Sequence, residues 1–443
     1  MIIVPLELPL RASEAASLAD LILQIGEGRP LADETRNRIL ARLPSLGLET
    51  IRPYMASLVK DPTHGSTYYL AVDATSAAGV TKPFLLHMAL SSAPASANFL
   101  KPILIGRMRP AGGREIVVNA IPFGPEDISE VLTYSEKLER GFLPRPQTGI
   151  PSISIAKGDP ATDLPAAFEA YRTIQQQLRV NLAAPVRVDD AVVDIDALDS
   201  RYAAGVWAAI RSGWRDGYTM EARFNLIDDS PDQLKTIKTA IRKASAFTKF
   251  SLDVTGLLAP ADPTRFEALF DEVERSWILE EFTREFPLVT GTPIRFTHEE
   301  TKALAVRNAA AMRAVEQLYD EIRREKGKSI TGRTFDFELK LGSPGNPVSP
   351  KEMLFAMHWL KSQGRTIQLL APYIAGSELV AETEHFSAVA RYFQAILTLA
   401  PGDDLSPETI EQIGRVTSGR VNFQLTQPHD ADFIVALATR LRG

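Results

Sequence analysis

Acidic and basic side chains alternate with apolar ones along residues 335–341, which read FDFELKL. This period-2 pattern predicts a β-strand with one apolar face and one charged face. Lys340 and Glu338 would share the charged face. There the lysine could act as a nucleophile or general base, with the carboxylate as its proton partner, if burial lowered the pKa of the amine. The strand is therefore a candidate catalytic element.

The same mixed pattern recurs in three other predicted strands, at residues 218–226, 250–254 and 421–426. Strands inside a fully packed parallel sheet are apolar on both faces, so these polar faces need an explanation. One interpretation is a polar pocket at the carboxyl ends of the strands, suited to a sugar or sugar acid. The other is an internal network of ion pairs, because an isolated buried charge is prohibitively unfavourable. The pattern leaves both open.

The polar positions on these faces and at the strand ends give the candidate site. We predict that Lys340, Glu338 and Asp253 are catalytic, with the carboxylates as proton partners of the lysine. Arg223 is expected to bind a substrate carboxylate. Further substrate-binding candidates are Glu221, Tyr373, Gln427 and His429.

From Glu115 onward, predicted strands and helices alternate with short turns between them. One clear unit has the charged strand, the loop 342–348, and a helix that begins at Pro350 after the capping residue Ser349. Such alternation predicts a parallel sheet with helical crossovers. We favour an α/β fold of the (β/α)8 TIM-like barrel type over an open doubly wound sheet, because no G-x-G-x-x-G follows the first strand.

The first part of the chain differs in texture, with short predicted elements separated by loops rich in small residues. We predict an N-terminal α+β region over residues 1–112 and the TIM-like barrel over residues 113–443. Among single elements, we predict helices at residues 49–59 and 387–398 and a first barrel strand at residues 116–121.

Composition excludes several classes of protein. The 443 residues carry a net charge of −6 with no basic block, so we expect neither a nucleic-acid partner nor an anionic membrane surface. The chain has 0 Cys, which excludes disulfides and thiolate chemistry. No apolar run approaches the ~20 residues of a membrane span, and the N-terminus lacks the basic start of a signal peptide. We therefore expect a soluble cytoplasmic protein.

The common motifs of phosphate, serine and metal chemistry are missing. The sequence has no G-x-x-x-x-G-K, no G-x-S-x-G and no H-E-x-x-H. Its 6 His are scattered, and no two have the spacing of a metal-ligand pair. We expect no cofactor and no metal ion, and a sugar or sugar acid as the candidate partner.

Several short segments from Gly217 onward resemble the metal-dependent tagaturonate epimerases, a family that interconverts hexuronates. They are Gly217-Tyr218-Thr219 with Ala222, Leu252-Asp253, the helix 300–323, the strand start Phe335-Asp336-Phe337-Glu338, the helix at Pro350, Leu370-Ala371-Pro372 with Gly376, and residues 427–433. The resemblance implies a barrel of the epimerase type in this part of the chain.

The chain departs from that family where the family binds its metal ion. Arg223-Phe224 stands in place of Asp-His, Gly342-Ser343 in place of Asp-Glu, and Met353 in place of a helix His. Tyr373 replaces an anion-facing Arg, and residues 427–432 read QPHDAD where the family has His-Ser-Gly-Ser-Asp-Lys. A hard divalent cation needs carboxylate or imidazole ligands, so the resemblance implies a barrel that has lost the metal site. The family pattern also continues beyond the end of this sequence.

These observations give two hypotheses for function. The first is a barrel that binds a sugar acid or similar small polar ligand without the metal-dependent epimerase reaction. The alternative is an active metal-free isomerase, epimerase or aldolase that uses Lys340 and Glu338. The alternative requires the Lys340 ammonium to lie at the mouth of the barrel within hydrogen-bond reach of Glu338 or Asp253.

Overall fold

The chain divides into two units, Met1–Leu143 with Ala203–Asp216, and Pro144–Tyr202 with Gly217–Gly443. The computed structural model describes residues 12–25, 33–61, 63–75, 79, 81–91, 102–109, 113–154, 160–178, 185–188, 195–288, 293–400, 405–425 and 429–442. The first unit extends past residue 112, where we placed the domain boundary, and it also takes in residues 203–216.

The first unit is built on a six-stranded antiparallel sheet. Its order is β1-β3-β4-β6-β5, with β2 paired to β3. Leu18 and Ile22 of the first helix belong to the apolar core on one face of this sheet. The elements are α1 (Ala12–Ile25), α2 (Asp33–Arg42), β1 (Ile51–Pro53), β2 (Val59–Lys60), β3 (Tyr68–Thr75), β4 (Thr81–Leu90), β5 (Ile103–Met108), β6 (Ile116–Pro122) and α3 (Ile128–Thr133).

Two sequence predictions in this unit need correction. The predicted helix at residues 49–59 is instead β1, a 3-10 turn and β2, because Pro53 lacks the N–H that a helix needs and β1 pairs with β3. The predicted first barrel strand is a strand, but it is β6, which pairs antiparallel with β4 and β5. Its period-2 pattern is the same in either kind of sheet, so the sequence does not reveal its partners.

The second unit alternates strands with helices. Its elements are β7 (Ser152–Ser154), α4 (Pro160–Leu178), β8 (Pro185–Val188), α5 (Leu198–Ser212, which ends in the first unit), β9 (Thr219–Asn225), α6 (Pro231–Lys243), β10 (Lys249–Asp253), α7 (Phe266–Leu269), α8 (Glu272–Phe282), β11 (Glu285–Phe286), β12 (Ile294–Arg295), α9 (His298–Lys326), β13 (Asp336–Leu341), α10 (Pro350–Ser362), β14 (Leu369–Pro372), α11 (Leu379–Tyr392), β15 (Ile396–Leu399), α12 (Pro407–Thr417), β16 (Val421–Gln424) and α13 (Ala431–Arg442). Among the described helices, none combines the length and apolar character that crossing a membrane requires.

Eight of these strands form one parallel sheet in the order β7-β16-β15-β14-β13-β10-β9-β8. The sheet is curled, because Cα atoms of its edge strands β7 and β8 approach within 8 Å of each other. The predicted α/β class with a parallel sheet is therefore confirmed. The β11–β12 pair is a separate antiparallel ribbon.

Helix starts in this unit follow the capping signals of the sequence. Ser349 accepts a hydrogen bond from the Glu352 N–H before α10, and Thr297 and Glu300 form a complete capping box before α9. The predicted helix at residues 387–398 is wrong at its end, since α11 stops at Tyr392 and Ile396 opens β15. Gln394, with φ 59°, turns the chain between them. A strand of four residues is too short for periodicity to separate strand from helix.

A pair of glycines in the first unit tests how closely the chain is packed. Gly213 and Gly47 both have φ near +70°, but a Cβ at Gly213 would lie 2.3 Å from Ala56 Cβ, whereas no described atom lies within 4 Å at Gly47. We expect Gly47→Ala to lower the free energy of unfolding by about 1 kcal/mol through backbone strain alone. Gly213→Ala should lower it by about 2–4 kcal/mol, because overpacking is added. Urea denaturation measures both, and equal losses would contradict the close contact.

Candidate functional site

The polar faces of the parallel strands meet inside the curled sheet. Glu338 on β13 accepts hydrogen bonds from Ser251 Oγ on the neighbouring strand β10, at 2.8 Å, and from Thr398 Oγ1 on β15, at 2.7 Å. Since β14 separates β13 from β15 in the sheet, the second bond crosses its concave side. The polar faces therefore point inward, and the apolar faces pack toward the helices.

Lys249 lies at the centre of this interior. Its Nζ is 3.0 Å from Glu221 Oε2 and 2.9 Å from Glu338 Oε2, and both carboxylates have no exposed surface. Burial alone would raise the pKa of Glu338, but the charges of Lys249 and Arg223 and the hydrogen bonds from Lys249 and Thr398 together outweigh burial and lower that pKa to about 2. Burial alone would lower the pKa of Lys249, and the two carboxylates raise it instead.

Arg223 completes a group of two cations and two carboxylates, here called the interior charge cluster: Glu221, Arg223, Lys249 and Glu338. Arg223 Nη2 donates to Gln424 Oε1 at 2.9 Å and lies 3.5 Å from Glu221 Oε1 and 3.9 Å from Glu338 Oε1. The formal charges of the cluster cancel. For these residues the structure matches the interpretation of an internal ion-pair network.

Hydrogen bonds extend this network to the edge strand β7. Asn422 Nδ2 on β16 donates to Thr398 Oγ1 at 3.0 Å, and its Oδ1 accepts from Ser154 Oγ at 3.0 Å and from Ser152 Oγ. At the amino end of the sheet, Asp336 accepts from the Gln147 N–H at 2.7 Å. Side-chain bonds thus connect strands from both halves of the sheet.

A separate pocket of about 450 Å³ lies at the carboxyl ends of the strands. We call it the mouth pocket, and its polar lining includes Asn225, Asp253, Thr255, Lys340, Ser343 and Tyr373. Strand register places Asp253 beside both Asn225 and Lys340. Lys340 Nζ is 2.7 Å from Asp253 Oδ2, and the two side chains are 37% and 14% exposed. This ion pair reaches solvent, unlike the pairs of the interior charge cluster.

Arg307 of α9 binds two chain segments that continue from the lining of the mouth pocket. Its Nε lies 2.6 Å from Glu352 Oε1, its Nη2 donates to Asn346 Oδ1 at 2.7 Å, and its Nη1 donates to the Ala259 carbonyl at 3.3 Å. Asn346 lies in the loop after β13 and Ala259 in the segment after β10. The guanidinium therefore positions both of the chain segments that follow Lys340 and Asp253.

The structure divides most of the predicted site residues between the mouth pocket and the interior charge cluster. Lys340, Asp253 and Tyr373 line the mouth pocket, whereas Glu338, Glu221 and Arg223 belong to the interior charge cluster. The structure pairs Lys340 with Asp253, and it pairs Glu338 with Lys249. His429 stacks on Phe433 at 3.8 Å between ring centroids, and Gln427 lies outside the described residues.

Sequence reasoning missed the central cation, Lys249. The predicted strand begins at Phe250, so Ser251 is the first position of its predicted polar face. Extending the alternation back by one polar position would have put Lys249 on the same face as Ser251 and Asp253. Thr398 was missed because its segment was predicted as a helix.

No metal site is apparent in the part of the chain that the structure describes. Those residues contain no group of three or more His, Cys, Asp or Glu side chains placed to hold a metal ion. The absence of a metal and of a cofactor stays a prediction from the sequence.

A parallel α/β sheet with a polar interior and a pocket at its carboxyl edge defines a class in which ligands bind at the strand ends. The fold of this chain is similar to that of fructuronate-tagaturonate epimerase UxaE from Cohnella laeviribosi. The structure of that protein complexed with two glycerol molecules superposes with a TM-score of 0.63 and 15% identity, over 88% of this chain and 75% of the other. Its native crystal structure gives a TM-score of 0.60 and 14% identity, over 88% and 74%.

This similarity confirms the resemblance to the epimerases, as a distant likeness of fold. No family model matches the sequence. No curated protein matches it either.

Replacing Lys249 tests the interior charge cluster. Lys249→Met leaves two buried carboxylates with one cation, and breaking a buried pair in this way is expected to lower the free energy of unfolding by about 3–5 kcal/mol. Lys351→Met is the matched control, because Lys351 pairs with Glu300 on the surface and should lose less than about 1 kcal/mol. Urea denaturation of both variants makes the comparison.

The pH dependence of the same variant adds an independent check. In the native protein the depressed pKa of Glu338 gives stability that is present above about pH 4.5 and is lost as pH falls toward 2. Without Lys249, burial should raise that pKa, so Lys249→Met should gain stability relative to the native protein as pH falls from about 7 to 5. A loss no larger than in Lys351→Met, with an unchanged pH profile, would contradict the cluster.

Proposed function

We propose that this chain binds a small organic acid, of the sugar-acid type or a similar polar ligand, in the mouth pocket, without the metal-dependent reaction of the epimerases. The observation that supports it is the solvent-reaching Lys340–Asp253 ion pair inside a pocket at the strand ends. A volume of about 450 Å³ lies in the usual range for small-molecule sites. The glycerol held in structures of the epimerase agrees with a small polar ligand for this fold.

The chemistry of the ion pair suits an acid that also carries a hydroxyl group. An ammonium has three N–H donors, and the bond from Lys340 Nζ to Asp253 uses one of them. The others can donate to a carboxylate, and Asp253 can accept from a neighbouring hydroxyl. Asn225 and Thr255 lie in the same lining and add further hydrogen-bonding groups.

Loss of the metal-dependent reaction is part of the proposal. The positions that match the family's metal ligands include Phe224, Gly342 and Met353, and all three are buried. None offers a carboxylate or imidazole, which a hard divalent cation needs. We also propose that the curled sheet is a (β/α)8 barrel, which the approach of β7 and β8 supports.

A thermal-shift screen tests this proposal directly. We expect galacturonate or gluconate, at about 100 times its Kd, to raise the Tm by roughly 3 °C in the absence of added metal ions. Lys340→Met should lose the shift, because the cation that meets the ligand carboxylate is gone. Lys328→Met should keep it, since Lys328 pairs with Glu325 on the surface and does not line the pocket.

The same screen with Mn²⁺, Zn²⁺ or Mg²⁺ separates the proposal from a metal-dependent site. A shift that appears only with a metal ion, or that survives in Lys340→Met, would contradict it. The absence of any shift with uronates, aldonates and ketoses would point instead to a role without a small acid ligand.

A second candidate function is a metal-free enzyme in which Lys340 forms an imine. The location of Lys340 Nζ in a pocket beside a carboxylate favours it. In that step the amine adds to a carbonyl carbon, water leaves, and Asp253 could carry the proton in place of the buried Glu338. However, Asp253 Oδ2 holds Lys340 Nζ at 2.7 Å, and the nitrogen must leave this contact before it can attack a carbonyl carbon. The geometry therefore favours binding over catalysis.

Borohydride trapping separates the two functions. Borohydride reduces an imine to a secondary amine, which leaves a permanent mass increase on the lysine. With fructose or pyruvate as the carbonyl compound, we expect Lys340 to be modified no more than Lys328, which is 70% exposed. Peptide mapping by mass spectrometry measures this, and selective modification of Lys340 would replace the binding proposal by the imine mechanism.

A further inference from the structure

The lining of the mouth pocket changes character along the sheet edge. Its polar side chains come mainly from the ends of β9, β10 and β13, with Asp253 and Lys340 at the centre. On the side of β14 and β15 the lining includes Pro372, Ile374, Leu379 and Leu399. Among the described residues of the lining, Tyr373 supplies a polar side chain on that side. The pocket therefore has a polar half and an apolar half, in the order of the strands.

An exposed apolar side chain lies on the rim. Ile227, just after β9, lines the pocket and is 67% exposed. A single exposed apolar residue needs no explanation, but this one adjoins a pocket that already has an apolar half. A ligand with an apolar body would cover part of Ile227 and thereby remove apolar surface from water.

Hydroxyl groups would be poorly served in the apolar half. A hydroxyl that leaves water needs a hydrogen-bond partner, and burial without one is unfavourable. Tyr373 offers one hydroxyl group on this side, whereas Ile374, Leu379 and Leu399 have no polar side-chain atom to provide a partner. A sugar acid hydroxylated along its whole length would lose hydrogen bonds there, whereas a methylene chain would gain from burial.

We propose that the preferred ligand is an amphipathic monocarboxylic acid, with its carboxylate and an adjacent hydroxyl or oxo group at Lys340 and Asp253 and an apolar tail of about four carbons in the apolar half. This inference rests on the proposed function, and it narrows the ligand class. It also departs from the fully hydroxylated hexuronates of the epimerase family.

Two acids of equal length and charge test the inference. Gluconate and 2-hydroxyhexanoate both have six carbons, one carboxylate and a 2-hydroxyl, and they differ only in the hydroxyls on the remaining carbons. By isothermal titration calorimetry, 2-hydroxyhexanoate should bind with a Kd about tenfold lower, because its methylene chain is buried without loss of hydrogen bonds. Lys340→Met should weaken both acids.

Variants of the apolar half identify the source of the preference. Ile374→Ser should reduce the tenfold preference to about twofold, and Ile227→Ser, at an exposed position that folding does not depend on, should reduce it in the same direction. Val273→Ser is the control, since Val273 is 79% exposed on α8 and does not line the pocket. Equal affinities, or tighter binding of gluconate, would overturn this inference and leave the proposed function standing. Failure of both acids to bind would overturn the two together.

Discussion

Two carboxylates with no access to water require a cation inside the parallel sheet. Glu221 and Glu338 could not stay charged there alone, and Lys249 lies within 3.0 Å of both. The three residues come from β9, β13 and the strand between them, so the pairing holds only in one register. A slip of one residue would turn a strand's polar face outward and leave an unpaired charge inside. The cluster therefore specifies the arrangement of strands more than it adds net stability.

Strand β10 carries both a buried ion-pair residue and one whose ion pair reaches solvent. On β10, Lys249, Ser251 and Asp253 follow one another on the inner face, from the buried centre to the open end. Lys249 is enclosed by its partners, whereas the Asp253 pair with Lys340 still reaches solvent. The same alternation thus supplies a structural cation, Lys249, and a candidate binding group, Asp253. Their roles differ because Asp253 is closer to the open end of the sheet. At about 3.3 Å per residue, the four positions from Lys249 to Asp253 span only roughly 13 Å.

The position of a side chain along the inner face depends on other strands, and this limits what could be predicted from the sequence. Alternation identified the polar faces of β9, β10, β13 and β16, and capping residues identified the starts of helices such as α9 and α10, because both signals are local. Whether a polar side chain joins a network or a pocket depends on residues from other strands, so Glu338 and Lys340 looked equivalent. The pairing of β6 with β4 and the short strand β15 depend on spatial neighbours in the same way. Lys249 is different, because the alternation of Lys249, Ser251 and Asp253 is a local signal from which its inward position could have been predicted.

A fold can be shared with an epimerase at only 15% identity because the sheet and the strand ends place different demands on the sequence. The sheet needs apolar outer faces and balanced inner charge, and many residues can provide these, whereas chemistry depends on a few groups at the strand ends. The resemblance places Arg223 where the family has an acidic metal ligand. The Arg223 guanidinium lies within 4 Å of Glu221 and Glu338. With Lys249, Arg223 thus balances the interior charge through side chains of the chain itself.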